Sequence, residues 1–148
     1  MFLLDTNVIS ERRKGAKADP GVMDFIDRLD HELFLPVQAI GELNFGVESL
    51  RRKGDLPQAE RVRQWLDSVL EDFEERILSF DKSCALIWGK LRSGNEHNLI
   101  DKQIASIALI YDLTIVTRNT NHYDGTGARV VNPFLADRSP ARKTSPAK

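Results

Sequence analysis

The stretch MFLLDTNVIS (residues 1–10) sets three apolar residues, Phe2 to Leu4, directly ahead of Asp5, Thr6 and Asn7 before apolar character resumes at Val8 and Ile9. A brief apolar run that stops at Asp, Thr and Asn reads as a short buried strand closed by capping residues. Asp5 or Thr6 can cap a helix through Ile9 and Arg13, which Gly15 would end. A strand with no polar face needs cover on both sides, and the rest of the chain supplies it.

Downstream, strands and helices alternate. Asp19-Pro20 opens a helix with Val22, Phe25, Ile26 and Leu29 on one side. LFLPV (33–37) is a strand, followed by a helix over 39–54 with Ile40, Leu43, Val47 and Leu50 at helical spacing and Gly54 as its stop. Asp55 starts a helix carrying Leu56, Ala59, Val62, Leu66, Val69, Leu70 and Phe73. RILSF (76–80) reads as a strand. Asp81 then caps a helix of Ala85, Trp88 and Leu91, and 93–98 is a loop. A helix over 100–112 leads into the strands LTIVT (113–117) and ARVVN (128–132). The pattern predicts an α/β fold of three layers, α/β/α, around a mostly parallel sheet of about four or five strands. In such sheets ligands bind outside the carboxyl ends of the strands.

At 148 residues the chain is one domain, long enough to bury roughly 70% of its unfolded surface. We take 1–135 as that domain and 136–148 as a basic, disordered tail. No apolar run approaches the roughly 18 residues of a membrane span, and no signal segment is visible, so a cytoplasmic protein with no membrane association is expected. Cys84 is the one cysteine, which excludes an intrachain disulfide and a cysteine-based zinc site; it reads as core. A net charge of −1 gives no global pull toward polyanions, yet basic residues gather at 12–17 and 51–53. Those runs are candidates for steering a phosphate backbone, or solvated helix ends.

The polar residues just after strands are Asp5, then Thr117 to Asn119; Glu42 and Asp101 lie near helix starts. Singly, Asp5 and Asp101 read as caps worth about 1 kcal/mol each. Glu42 sits between Ile40, Leu43 and Phe45, a stretch too apolar for a solvated face, so its carboxylate needs a partner. Two carboxylates about 5 Å apart repel by roughly 3 kcal/mol at an effective dielectric of 20. Acids that converge therefore need a cation. Oxygen ligands with open positions suit Mg²⁺ or Mn²⁺.

With these residues assembled, the ordered set LLDTNVIS, AIGELNFGV, IDKQIASIAL and LTIVTRNTNHYDGTGARVVNPF resembles the PIN domain, and within it the VapC-like toxins of bacterial toxin–antitoxin pairs. The resemblance runs from Phe2 to about Phe134. It implies a metal-dependent endoribonuclease acting on RNA, a homodimer, and inhibition by a cognate VapB-like antitoxin. Carried over by position, Asp5 and Asp101 match the metal-binding acids and Glu42 the acid of the GEL segment, so these three form the expected catalytic set. Thr6, Asn7, Thr117 and Asn119 match the residues that line the site. Trp65 and Trp88 fall within apolar helical patterns and read as core or dimer contacts.

One position departs from the pattern. After TRN the family carries an Asp followed by Phe, where this chain has His122 and Tyr123, so the fourth acid is missing. Imidazole is a poor ligand for Mg²⁺, which should weaken that ion more than Mn²⁺. Asp124 is the alternative fourth acid. A second functional reading follows: a catalytically weakened PIN-like domain that binds antitoxin or RNA without cleavage.

Overall fold

The computed structural model describes residues 1–138. Five short strands form one sheet: β1 (Phe2–Leu4), β2 (Leu33–Pro36), β3 (Ile77–Leu78), β4 (Thr114–Val116) and β5 (Val130–Val131). Their order is β3-β2-β1-β4-β5, and every pairing is parallel. The six α-helices are α1 (Thr6–Ile9), α2 (Pro20–Leu29), α3 (Val37–Arg52), α4 (Leu56–Asp72), α5 (Lys82–Arg92) and α6 (Leu99–Tyr111).

Strand periodicity divides the core between the two faces of the sheet. Leu4 and Val116 pack with Val8, Ile9, Val22, Leu43, Val47, Val62, Leu66 and Phe73, which covers one face with α2, α3 and α4. Leu3 and Ile115 turn the other way and pack with Cys84, Ile104, Ala105, Ile107 and Ala108 of α5 and α6. The expected three layers are present, and Cys84 is buried as expected. Local chemistry sets the helix starts: Asp19 accepts from the Gly21 and Val22 amides, Asp55 from that of Gln58, and Asp81 from that of Cys84.

Several expectations need correction. The first helix stops as α-helix at Ile9 and continues as 3₁₀ turns over Ser10–Lys17, broken at Gly15 by a positive φ of 56°. The third strand shrinks to Ile77–Leu78, because Glu74–Arg76 form a 3₁₀ turn pinned by Arg76 donating to the carbonyls of Asp30 and Leu33. In α5 it is Cys84 that faces the core, while Ala85 is exposed. Trp88 is half-buried, with its indole N–H donating to the Leu99 carbonyl. Trp65 is likewise half-buried against the core. Ala136 and Asp137, at the start of the expected tail, are tied to the domain through Asp19 and Arg118; residues 139–148 lie outside the described residues. No helix among the described residues is long and apolar enough to cross a membrane.

Candidate metal and active site

The chain winds from β1 outward through β2 to β3, then returns to place β4 on the other side of β1. The carboxyl ends of β1 and β4 therefore flank the point where the winding reverses, the usual ligand crevice of an open α/β sheet. Asp5 follows β1 there, and Thr117 follows β4.

Asp5 both caps α1 and faces this crevice. Its Oδ1 accepts from the Thr6 amide at 2.8 Å, and its Oδ2 accepts from the Thr117 hydroxyl at 2.9 Å and the Tyr123 hydroxyl at 3.0 Å. The residue is 5% exposed, so those donors replace the water that a buried carboxylate loses. Asn7 ties the two strand ends together: its amide donates to Thr117 Oγ1 at 3.3 Å, and its Oδ1 accepts from the Arg118 amide at 3.0 Å. The Asn119 amide donates to Thr117 Oγ1 at 3.1 Å, while the residue itself is exposed.

Asp101 arrives in the first turn of α6, which starts after a left-handed Asn98 (φ 53°) and packs against the sheet through Ile104, Ala105, Ile107 and Ala108. Its Oδ1 lies 3.4 Å from the Tyr123 hydroxyl, and its Oδ2 lies 2.9 Å from His122 Nδ1. One phenol thus stands between two carboxylates. Burial and the acids facing it push the Tyr123 phenol far up, so it remains a proton donor. Burial and the neighbouring Asp5 raise Asp101 above the usual carboxylate range, against the opposing hydrogen bonds of His122 and Tyr123. Lys102, adjacent in sequence, is buried and directs its ammonium to the His97 carbonyl.

Glu42 corrects a premise. Ala39, Leu43 and Val47 take the core face of α3, leaving Glu42 on its flank, exposed as a residue but with its carboxylate partly enclosed by the cleft rather than embedded in the core. Its carboxylate nonetheless looks into the same cleft. Burial first, then the charges of Asp5 and Asp101, raise its pKa, while the Thr6 hydroxyl pulls the other way. Thr6 Oγ1 is itself buried without a hydrogen bond of normal geometry. Asp124 is exposed, and its carboxylate makes no hydrogen bond among the described residues. Tyr123 is the contributor that sequence reasoning missed as a site residue. The signal was there: a hydroxyl at the position where the resembled family carries Phe.

Among the described residues no three His, Cys, Asp or Glu side chains form a ready-made metal cage. The donor set still fits a small, hard cation. Two carboxylates face one hydroxyl, a third acid is near enough to be raised by them, and no Lys or Arg pairs with any of the three among the described residues. Mg²⁺ and Mn²⁺ take few protein oxygens and keep water in the remaining positions.

Comparison with known proteins follows the same lines. The family model described as PIN domain matches residues 2–127. The chain is similar to Toxin FitB of Neisseria gonorrhoeae, 36% identical over 90% of this chain and 99% of that one. It is also similar to VapC ribonuclease Y4jK of Sinorhizobium fredii, at 29% identity over 90% of this chain and 98% of that one. Among solved structures, the crystal structure of FitAcB from Neisseria gonorrhoeae superposes with a TM-score of 0.80 at 33% identity, covering 90% of this chain and 98% of that one. A family model that spans most of the length and a relative 36% identical along nearly all of it agree: the chain belongs to the PIN domain family.

Proposed function

We propose that this protein is a metal-dependent endoribonuclease, the toxin of a toxin–antitoxin pair. The observation that carries the reading is the pair Asp5 and Asp101, distant in sequence and brought onto one Tyr123 hydroxyl at the reversal of the sheet. Relatives named Toxin FitB and VapC ribonuclease support it.

Asp5 and Asp101 would hold Mg²⁺ or Mn²⁺, with Glu42 reaching it through water. Such a cation acidifies water and neutralises charge that develops on phosphoryl oxygens. The chain supplies the geometry. Thr6, Thr117 and Tyr123 fix the Asp5 carboxylate, and Asn7 locks the ends of β1 and β4 so that Thr117 keeps its place. Glu42, raised by burial and by its acidic neighbours, suits the uptake of a proton from attacking water. The water oxygen bonds to phosphorus as the opposite P–O ester bond breaks, and the departing oxygen takes a proton.

A VapB-like antitoxin is the partner that the family resemblance implies, along with a homodimer. A second reading has one specific observation behind it: His122 already engages Asp101 Oδ2, which leaves that oxygen less available and favours a weakened enzyme that acts by binding. The test is cleavage of a varied RNA pool by purified, antitoxin-free protein across Mg²⁺ and Mn²⁺ titrations, beside Asp5→Asn. Metal-dependent cleavage by wild type, reduced about a hundredfold or more in the variant, is the expected result. Wild type and variant equally inert in both metals would overturn the nuclease reading.

A further inference from the structure

Thr6 and Glu42 form the wall between two cavities, and the proposed chemistry uses neither cavity in full. One, of about 460 Å³, is lined on its far side by Gln38, Gly41, Phe45 and Ile100. The other, of about 380 Å³, lies between α1 with its following 3₁₀ turns, α3 and α4. That volume falls within the roughly 300–1,000 Å³ typical of small-ligand sites. Its lining is mixed: Leu43, Leu50 and Val62 form an apolar floor, Ser10, Arg13, Ser49, Lys53 and Gln58 add hydroxyls, an amide and two cations, and the half-buried Trp65 closes it.

The two basic runs of the sequence converge here, one residue from each. Most of their neighbours are already engaged. Arg12 pairs with Asp72 at 3.0 Å, Lys14 with Glu11, and Arg51 with Glu48 at 2.7 Å. Among the described residues Arg13 and Lys53 form no ion pair, and both line the cavity. The Arg13 guanidinium lies 5.9 Å from the Trp65 ring centroid, which holds the charge at the cavity wall. A third cavity of about 360 Å³ shares Arg13, Gln58 and Val62 with this one and adds Lys14 and Arg61, so the basic lining continues away from the acids.

Cations, hydroxyls and an aromatic ring in one groove match phosphate, ribose and base, the three parts of a nucleotide. We propose that the cavity lined by Arg13, Lys53 and Trp65 is the subsite for the nucleotide beside the cleaved bond of a single-stranded RNA. Arg13 and Lys53 hold its backbone phosphate, Trp65 gives the base an aromatic wall, and the strand continues toward Arg61. The proposal rests on the ribonuclease reading of the adjacent acids and names where its substrate lies. It also assigns a sequence-independent role to the two cations, because phosphates are the same at every nucleotide.

The test is binding of a fluorescent single-stranded RNA to full-length Asp5→Asn protein, followed by anisotropy over a salt series. Removing one cation that neutralises a phosphate of a single strand makes the slope of log affinity against log salt shallower by about 0.7, which is about eightfold in affinity near 0.05 M salt. Arg13→Ala and Lys53→Ala should each show that drop on unrelated sequences. Arg13→Lys and Lys53→Arg should retain the slope, and Arg52→Ala, from the same run but off the cavity, should leave it unchanged. Unfolding midpoints of the alanine variants separate a weakened subsite from a damaged fold. Unchanged affinity and slope in both alanine variants, or displacement of RNA by polyglutamate as effectively as by unlabelled RNA, overturns the subsite. Cleavage by the otherwise wild-type chain is scored separately: RNA bound through Arg13 and Lys53 but never cut keeps the cavity as an RNA-binding site and overturns the nuclease reading, and with it the placement beside a cleaved bond.

Discussion

His122 Nδ1 lies 2.9 Å from Asp101 Oδ2, so the imidazole that stands in place of an expected acid is hydrogen-bonded to a neighbouring acid of the site. Against a carboxylate, Nδ1 is the donor. The pairing holds Asp101 Oδ2, and an imidazole where an acid is expected leaves the cleft one carboxylate short.

Replacing that imidazole with a carboxylate should strengthen cation binding. In His122→Asp the half-saturating Mg²⁺ concentration for cleavage is expected to fall by about tenfold, the lower end of what partners around metal ligands contribute. Mn²⁺ dependence should change less. Identical metal titrations for the two proteins would show His122 to be a bystander.

Tyr123 joins Asp5 and Asp101 through a single hydroxyl, and it stands 118 positions beyond Asp5 in the sequence. Tyr123→Phe keeps the ring in its core position and removes the donor. Without added metal the variant should lose about 1–3 kcal/mol, since the buried Asp5 and the partly buried Asp101 lose a partner. Saturating Mn²⁺ should recover part of the loss by binding the folded state alone. Thermal melts of both proteins with chelator and with Mn²⁺ decide it; an equal metal-induced rise in Tm would count against this pairing.

The acids of the cleft should make the metal-free protein less stable as pH rises. Folded-state values of Asp101 and Glu42 lie above the ordinary range, through burial first and the neighbouring charges second. Their contribution is complete below the unfolded values of about 4 and declines as pH climbs through the raised ones. Asp19 and Asp137 run oppositely. Asp19 is lowered because four backbone amides outweigh its burial, and Asp137 by its hydrogen bond from Arg118; their contribution is lost as pH falls through the depressed values. Denaturant midpoints in chelator from about pH 4.5 to about pH 7.5 should decline less in Asp101→Asn than in wild type. Parallel profiles would refute the assignment to Asp101.

Gly21 carries the seam between α2 and the segment after β5. A Cβ there would lie 2.3 Å from the Pro133 carbonyl oxygen and 2.9 Å from the Leu135 amide nitrogen, both backbone atoms that cannot swing aside. Gly21→Ala should therefore destabilise by about 1–3 kcal/mol, despite a helix propensity gain of up to about 1 kcal/mol. The same displacement would pull Leu135 and Ala136 from the Asp19 carboxylate that accepts their amides. A midpoint equal to or above wild type in urea unfolding would contradict this packing.

What the sequence alone determined was local. Asp19, Asp55 and Asp81 announce their helices because a cap needs only an amide two or three residues away. Leu3 and Leu4, or Ile115 and Val116, announce strands buried on both faces because side chains alternate within a strand. Asp5 and Asp101 each read singly as a helix cap, and they became candidate site acids only when set beside Glu42 and the TRN segment. Tertiary structure decided which groups meet. Strand order is set by long-range pairing, and it alone puts Asp5 next to Thr117 at the reversal of the sheet. Glu42 shows the limit most plainly: apolar neighbours in sequence suggested burial, but a helix distributes neighbours around its axis, so Leu43 went inward and Glu42 to the rim of the cleft. The Tyr123 hydroxyl could be placed against two acids only by folding, because no local rule reaches across 118 residues.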